Sequence, residues 1–115
     1  SMAHRGRLNV LTTVFKKSYT ELFAEFEGIY TKDSPKYKLP YFFGDVKYHN
    51  GTSNQIKNSK NKPLNLYLLP NPSHLEAING VFYGALSAIE NHDKTLPIII
   101  HGDSAVSGLG INYEV

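Results

Sequence analysis

Leu96-Pro97-Ile98-Ile99-Ile100-His101-Gly102-Asp103 joins an apolar, β-branched run to a Gly-Asp turn, and the fold is decided by how that junction is read. A short run of this composition is expected to be a buried strand. Gly102 lets backbone N–H groups come close to a phosphate, and Asp103 offers a carboxylate to a hard cation. The same pair also reads as a plain turn and helix start, with Asp103 as the N-cap. Working outward, Leu64 to Leu69 reads as a second strand, and Ser73 to Asn91 as a helix with Ser73 and Glu76 as a capping box. Strand, helix and strand make a βαβ unit over residues 64–103, so the class is α/β with a parallel sheet and flanking helices. A right-handed crossover then brings Asn71-Pro72-Ser73 and Gly102-Asp103 out at one carboxyl edge, where open α/β sheets bind ligands. Gly80 and Gly84 leave a smooth helix face against which another backbone can pack.

Two short helices and a long loop precede this unit. Leu8, Val10, Leu11, Val14 and Phe15 recur at near-helical spacing, which predicts a helix from about Leu8 to Lys16. Ser18 and Glu21 form a capping-box pattern ahead of Leu22, Phe23 and Phe26, and Gly28 supplies a stop. From Tyr30 to Lys62 prolines, glycines, asparagines and lysines predominate, with only Leu39 to Phe43 clearly apolar. A loop of that length is uncommon in a compact domain unless it has a function, so residues 44–62 are read as an active-site loop followed by a mobile insert. Gly44-Asp45-Val46-Lys47-Tyr48-His49 is its functional part, and Asn54 to Lys62 the solvated insert.

Composition narrows the chemistry. The 115 residues amount to one domain's worth of chain, and 41% hydrophobic content supports a modest core. With no cysteine there is no disulfide framework, thiolate zinc site or iron–sulfur site, so any metal is oxygen-ligated. No stretch approaches the roughly 20 apolar residues of a membrane span, and the first residues lead into no signal-peptide hydrophobic region. A net charge of +2 is too small to require nucleic acid, although Arg5, Arg7, Lys16 and Lys17 make the first segment locally basic and suited to an anionic ligand.

Four blocks occur in order: Met2-Ala3-His4-Arg5-Gly6-Arg7-Leu8-Asn9-Val10-Leu11, Gly44-Asp45-Val46-Lys47-Tyr48-His49, Asn71-Pro72-Ser73-His74-Leu75-Glu76, and His101-Gly102-Asp103. Together they closely resemble the thiamine-diphosphate-dependent first component of 2-oxoglutarate dehydrogenase and its relative, 2-oxoadipate dehydrogenase, over essentially the whole chain. The resemblance implies a partial thiamine-diphosphate-binding fold, residues 1–115 being one segment of the N-terminal, diphosphate-binding catalytic domain of a longer enzyme. It also implies that an Asn-containing turn completing the magnesium site, the glutamate that activates the aminopyrimidine, and later domains all lie beyond Val115. The segment alone is therefore expected to be inactive.

The activity implied is oxidative decarboxylation of 2-oxoglutarate, with transfer of the succinyl group to the lipoyl group of the dihydrolipoyl succinyltransferase of the tricarboxylic acid cycle. Thiamine diphosphate and Mg2+ are the cofactors implied, and a homodimer the assembly. Asp103 would bind magnesium, and Ser104 and Ala105 would offer backbone N–H groups to the diphosphate. Arg5 fits a cofactor contact through its guanidinium fork, where an isolated arginine would otherwise make a surface salt bridge; Arg7 is read as structural. The resemblance puts His4 and His49 at the substrate end as catalytic and substrate-binding residues, donating to a carboxylate or to the oxygen that gains charge. Ser73 falls near both substrate and cofactor, where capping and binding are compatible. Leu75 would touch the cofactor's ring, while His74 and Glu76 also suit a helix start; Ser53 is a weaker substrate contact, because Asn50 and Thr52 depart from the family wording. Phe82, Tyr83 and Leu86 read as core.

The nearest alternative keeps the mechanism and changes the acid to 2-oxoadipate, in lysine catabolism. One methylene is worth only about 1–3 kcal/mol in a pocket. A different class is a non-catalytic phosphate- or nucleic-acid-binding module using His4, Arg5 and Arg7, which the small charge disfavours; a purely structural domain would bind neither cofactor. The resemblance carries no nucleic-acid or membrane partner. It places the enzyme in the mitochondrial matrix in a eukaryote and in the cytoplasm in a bacterium.

Overall fold

The structure, a computed structural model, describes residues 1–29, 47–108 and 110. The expected apolar stretch Leu39 to Phe43 and the first part of the active-site loop, Gly44-Asp45-Val46, lie outside the described residues. Helix α1 (Arg7–Thr13) is followed by α2 (Tyr19–Phe26), a 3-10 turn at Lys47–His49, the strands β1 (Thr52–Lys57) and β2 (Pro63–Leu68), α3 (Ile78–Ser87), a 3-10 turn at His92–Lys94 and α4 (Asp103–Gly108). The α/β class stands.

Both N-terminal helices form where the apolar spacing and the caps place them. The Ser18 side chain caps α2 by accepting from the Glu21 N–H at 3.0 Å. Glu21 itself turns sideways, 3.5 Å from the Lys17 ammonium. At the other end Gly28 takes φ 71, its N–H donating to the Glu25 carbonyl while that of Ile29 reaches Ala24 at 2.8 Å. That pair of bonds is a Schellman stop, which glycine adopts without the penalty a Cβ would carry.

The core lies between α1 and the hairpin. Leu11 and Phe15 meet Met2 and Leu68, with Leu8, Val10 and Leu66 packed around them. Leu66 and Leu68 point inward from β2 while Asn65 and Tyr67 face out, the period-two alternation of a half-buried strand.

Residues 54–62 are not an irregular loop, as the sequence suggested, but strand and turn of a hairpin. β1 pairs antiparallel with β2, Thr52 opposite Leu68 and Ile56 opposite Leu64. The connecting turn is closed by the Asn58 side chain, which accepts from the N–H groups of Lys60 (2.9 Å) and Lys62 (3.0 Å), with Asn61 at φ 59. Asparagine supplies both the local acceptor and the tolerance of positive φ, so the Asn-rich tract is turn chemistry rather than loose chain. One inward residue, Asn54, is satisfied by donating to the Phe15 carbonyl at 2.8 Å.

The pairing of the 64–103 unit also differs from the expected parallel partnership of its two strands. β2 takes β1 as its partner, and the extended 96–100 run takes Ser1 to Ala3. There the pairing is parallel: Ser1 N donates to Ile98 O at 2.8 Å, Ile100 N to Ser1 O at 3.1 Å, and Ala3 N to Ile100 O at 2.9 Å. The run is not buried by the described residues either, Leu96 being 81% and Ile98 56% exposed. Parallel pairing nonetheless sends two chain exits, His4-Arg5 and His101-Asp103, to the same edge.

Helix α3 starts later than the Ser73 cap predicts. Glu76 has φ 66, a left-handed conformation that interrupts any helix begun at Ser73, and Ala77 precedes the helix without a side-chain cap. The capping-box reading is therefore corrected, since Ser73 is engaged elsewhere. A Cβ at Gly80 or Gly84 would meet nothing within 4 Å among the described residues, and Tyr83 is exposed rather than core.

Among the described glycines, Gly51 is the one held by close approach. A Cβ there would sit 2.6 Å from both Pro70 Cδ and Pro70 N, and 2.8 Å from Leu68 O. Backbone would have to move, so Gly51→Ala is expected to destabilise by about 1–3 kcal/mol, the usual cost of overpacking. Thermal melting reads it directly, and an unchanged midpoint would mean that the two chain segments are not in contact.

Candidate active site

Three chain segments converge on one pocket. Its lining includes Ala3 and His4 from the first exit, Asn71, Pro72 and residues 74–76 from the segment after β2, and His101 from the third. Asn71 and Pro72 share this pocket with His101, the residue before the Gly-Asp turn, through strand partners other than those expected, while Gly102 and Asp103 do not line it.

From pocket-lining His4 a chain of side-chain contacts runs through Tyr48 to His49 and Ser73. His4 and Tyr48 have ring centroids 5.6 Å apart, and Tyr48 meets His49 edge-on at 5.3 Å. His49 Nε2 and Ser73 Oγ share a hydrogen bond of 2.7 Å. Tyr48 is thus the packed spacer between two imidazoles that lie far apart in sequence, while Ser73 fixes the orientation of one of them. A hydrogen bond of this kind orients a ring for proton transfer or for donation to a developing charge.

The other expected site residues divide. Leu75 lines the pocket and is 44% exposed. Arg5 is exposed. Asp103 opens α4 with an exposed side chain, Ser104 is exposed, and Ala105 is buried. Asp103 is not in the pocket lining, and neither is Ser73. Ser53 sits on the outer face of β1 opposite Tyr67.

The magnesium and diphosphate implied by the resemblance can be set against this donor set. Asp103 supplies one hard carboxylate oxygen donor, and the first-turn N–H groups of Ser104 and Ala105 have no acceptor within α4. A Cβ at Gly102 would meet nothing within 4 Å among the described residues, so no contact with them requires glycine there. No cluster of three or more His, Asp or Glu is present among the described residues, so Asp103 would be one ligand of a shell completed from elsewhere. The residues fit one side of a magnesium diphosphate.

Four residues in and around this site had no binding or catalytic role in the sequence reading. Arg7 is fully buried, and Asn71, its partner at 2.6 Å, is buried beside it. Glu76, 1% exposed, holds its carboxylate inside the protein next to the pocket. His101 shares a 2.9 Å hydrogen bond with the buried Asn79. All four stood within the recognised blocks, and that was the available signal. Burial of Arg7 had none.

Among curated proteins, the chain is 43% identical over 119 residues to the 2-oxoglutarate dehydrogenase E1 component of Cupriavidus necator, a match covering 98% of this chain and 12% of that protein. It is homologous to a segment of these first components. Mitochondrial 2-oxoglutarate dehydrogenases of Dictyostelium discoideum and Saccharomyces cerevisiae are each 40% identical over 98% of the chain, which spans 12% and 11% of their lengths. The relatives thus include bacterial proteins and eukaryotic proteins named mitochondrial. No family model matches the chain, and no solved structure matches it. No helix among the described residues is long and apolar enough to cross a membrane.

Proposed function

We propose that the chain is the early catalytic segment of a decarboxylating 2-oxo acid dehydrogenase component acting on 2-oxoglutarate and passing a succinyl group to the lipoyl arm of its acyltransferase. The observation that supports it best is the run of side-chain contacts from pocket-lining His4 through Tyr48 to His49 and on to Ser73, in a chain similar throughout to those first components. Thiamine diphosphate, when bound, supplies the carbon nucleophile and the electron sink that let a 2-oxo acid lose carbon dioxide.

The chain's own residues would then divide the remaining work. Asp103 would hold magnesium, with the Ser104 and Ala105 N–H groups and the Arg5 guanidinium on the diphosphate oxygens. Leu75 would pack against the cofactor ring. His4 and His49 would donate to the substrate's carboxylates and to the carbonyl oxygen as it gains negative charge, a preorganised arrangement that favours the charged transition state over the ground state. Ser73, bonded to His49, keeps that imidazole aimed. The whole enzyme is read as a homodimer, in the mitochondrial matrix in a eukaryote and the cytoplasm in a bacterium.

Steady-state assays of the full-length protein with thiamine diphosphate and Mg2+ test this reading. A kcat/KM at least about tenfold higher for 2-oxoglutarate than for 2-oxoadipate is expected, the discrimination that one methylene allows. The reverse ratio would reassign the substrate to 2-oxoadipate, and no turnover of either acid would overturn the proposal.

A further inference from the structure

We infer that Arg7 is a positioning residue, one buried guanidinium that sets the relative placement of the three segments carrying His4, His49 and Ser73. All five of its N–H donors are used. Nη1 donates to Met2 O at 3.1 Å and to Asn71 Oδ1 at 2.6 Å. Nε and Nη2 both donate to Asn50 O, at 3.2 and 2.9 Å, and Nη2 also donates to Leu69 O. These acceptors lie two residues before His4, one after His49, and four and two before Ser73.

Hydrophobic packing alone would not specify this arrangement. A planar fork with fixed donor directions ties its acceptors to a common plane, which a flexible ammonium or an apolar side chain cannot do. It is also expensive. The side chain is 0% exposed, and among the described residues it forms no ion pair, so only carbonyl and amide dipoles compensate its charge. Burial pushes its pKa down to about 10, which leaves it charged at neutral pH. An unbranched apolar side chain such as methionine would serve the core at least as well, so the gain from the buried cation is geometric. Asn71 is the second half of the device, since it takes the Arg7 bond and lines the pocket itself.

This inference rests on the active-site reading above. It is tested in the full-length protein with Arg7→Lys, which keeps the charge and loses the fork, and with Asn71→Leu, which deletes one of the five bonds and keeps the rest. Both are expected to lower kcat by about tenfold or more, since displacements near 1 Å are that costly, with KM changing less. The pH profile of kcat/KM, which reports the essential acid and base of the site, is expected to change as those groups are displaced. A structure of either variant reads the His49–Ser73 hydrogen bond without reference to turnover, and the bond is expected to be lengthened or lost.

Lower melting temperatures with kcat per cofactor-bound site, pH profile and His49–Ser73 geometry all unchanged would overturn the inference, leaving Arg7 a plain stabiliser. If Arg7→Lys does not fold, Asn71→Leu gives the same readings. A wild-type protein inactive on 2-oxo acids would defeat the active-site reading instead, and the variant structures would still decide whether Arg7 positions these side chains.

Discussion

Asp103→Ala in the full-length protein is expected to lower magnesium-dependent affinity for thiamine diphosphate by about a hundredfold or more. The reason is coulombic and geometric. A hard divalent ion bridging a carboxylate and a diphosphate loses its only anionic protein ligand among the residues proposed for it, and alanine offers no oxygen in its place. The fold should tolerate the change. Asp103 is exposed at the start of α4, and the bond from Ser107 Oγ at 3.1 Å goes to its backbone carbonyl, which alanine retains. Calorimetric titration with and without Mg2+, beside a melting curve shifted by no more than about 0.5 kcal/mol, is the check. Unchanged cofactor affinity would remove Asp103 from the metal site.

His49→Ala is expected to reduce kcat/KM for the 2-oxo acid by about 10² to 10⁴, the range for losing a positioned donor or proton carrier. Ser73→Ala should cost less, about tenfold, because it removes the partner that orients the imidazole and leaves the imidazole itself. The order of the two effects is informative. Were Ser73→Ala the more severe, the hydroxyl would have to act on the substrate directly, and His49 would become its support. Stopped-flow single-turnover rates, free of product release, give the comparison most cleanly.

How much of this was legible in the chain varies by element. The second helix was readable because its signals are local: a serine cap, an amphipathic stripe and a glycine stop, each acting within one turn. The hairpin was not. Thr52-Ser53-Asn54-Gln55-Ile56-Lys57 has one aliphatic side chain, and its inward Asn54 is satisfied by the distant Phe15 carbonyl, a compensation no local pattern reveals. The start of α3 was misplaced because the Ser73–Glu76 spacing has the form of a capping box. Tertiary contacts outbid that box: His49 takes the serine, and the left-handed backbone at Glu76 carries its carboxylate into the interior.

The candidate site residues carried a different kind of signal. The histidines, Ser73 and Leu75 stand in blocks whose order along the chain is unusual enough to be recognised, and in the structure ring contacts through Tyr48 and the His49–Ser73 hydrogen bond link His4 to Ser73. What joins them could not be read. A Ser1-to-Ala3 strand is too short for any periodicity to show, and an arginine in a basic segment looks the same in sequence whether it is solvated or wholly enclosed. Strand partnership and burial of charge are both long-range properties, decided by contacts such as the one between Arg7 and Asn71, 64 residues apart.

The central claim is that the exits beside Ala3, Leu69 and Ile100 form one cofactor and substrate site. A crystal structure of the full-length protein with thiamine diphosphate, Mg2+ and a non-reactive 2-oxo acid analogue measures it most directly. Asp103 on the metal, with the His4 and His49 imidazoles within hydrogen-bonding distance of the analogue, is the result expected. A diphosphate bound at another sheet edge, with Asp103 turned to solvent and both imidazoles remote from the analogue, would contradict it.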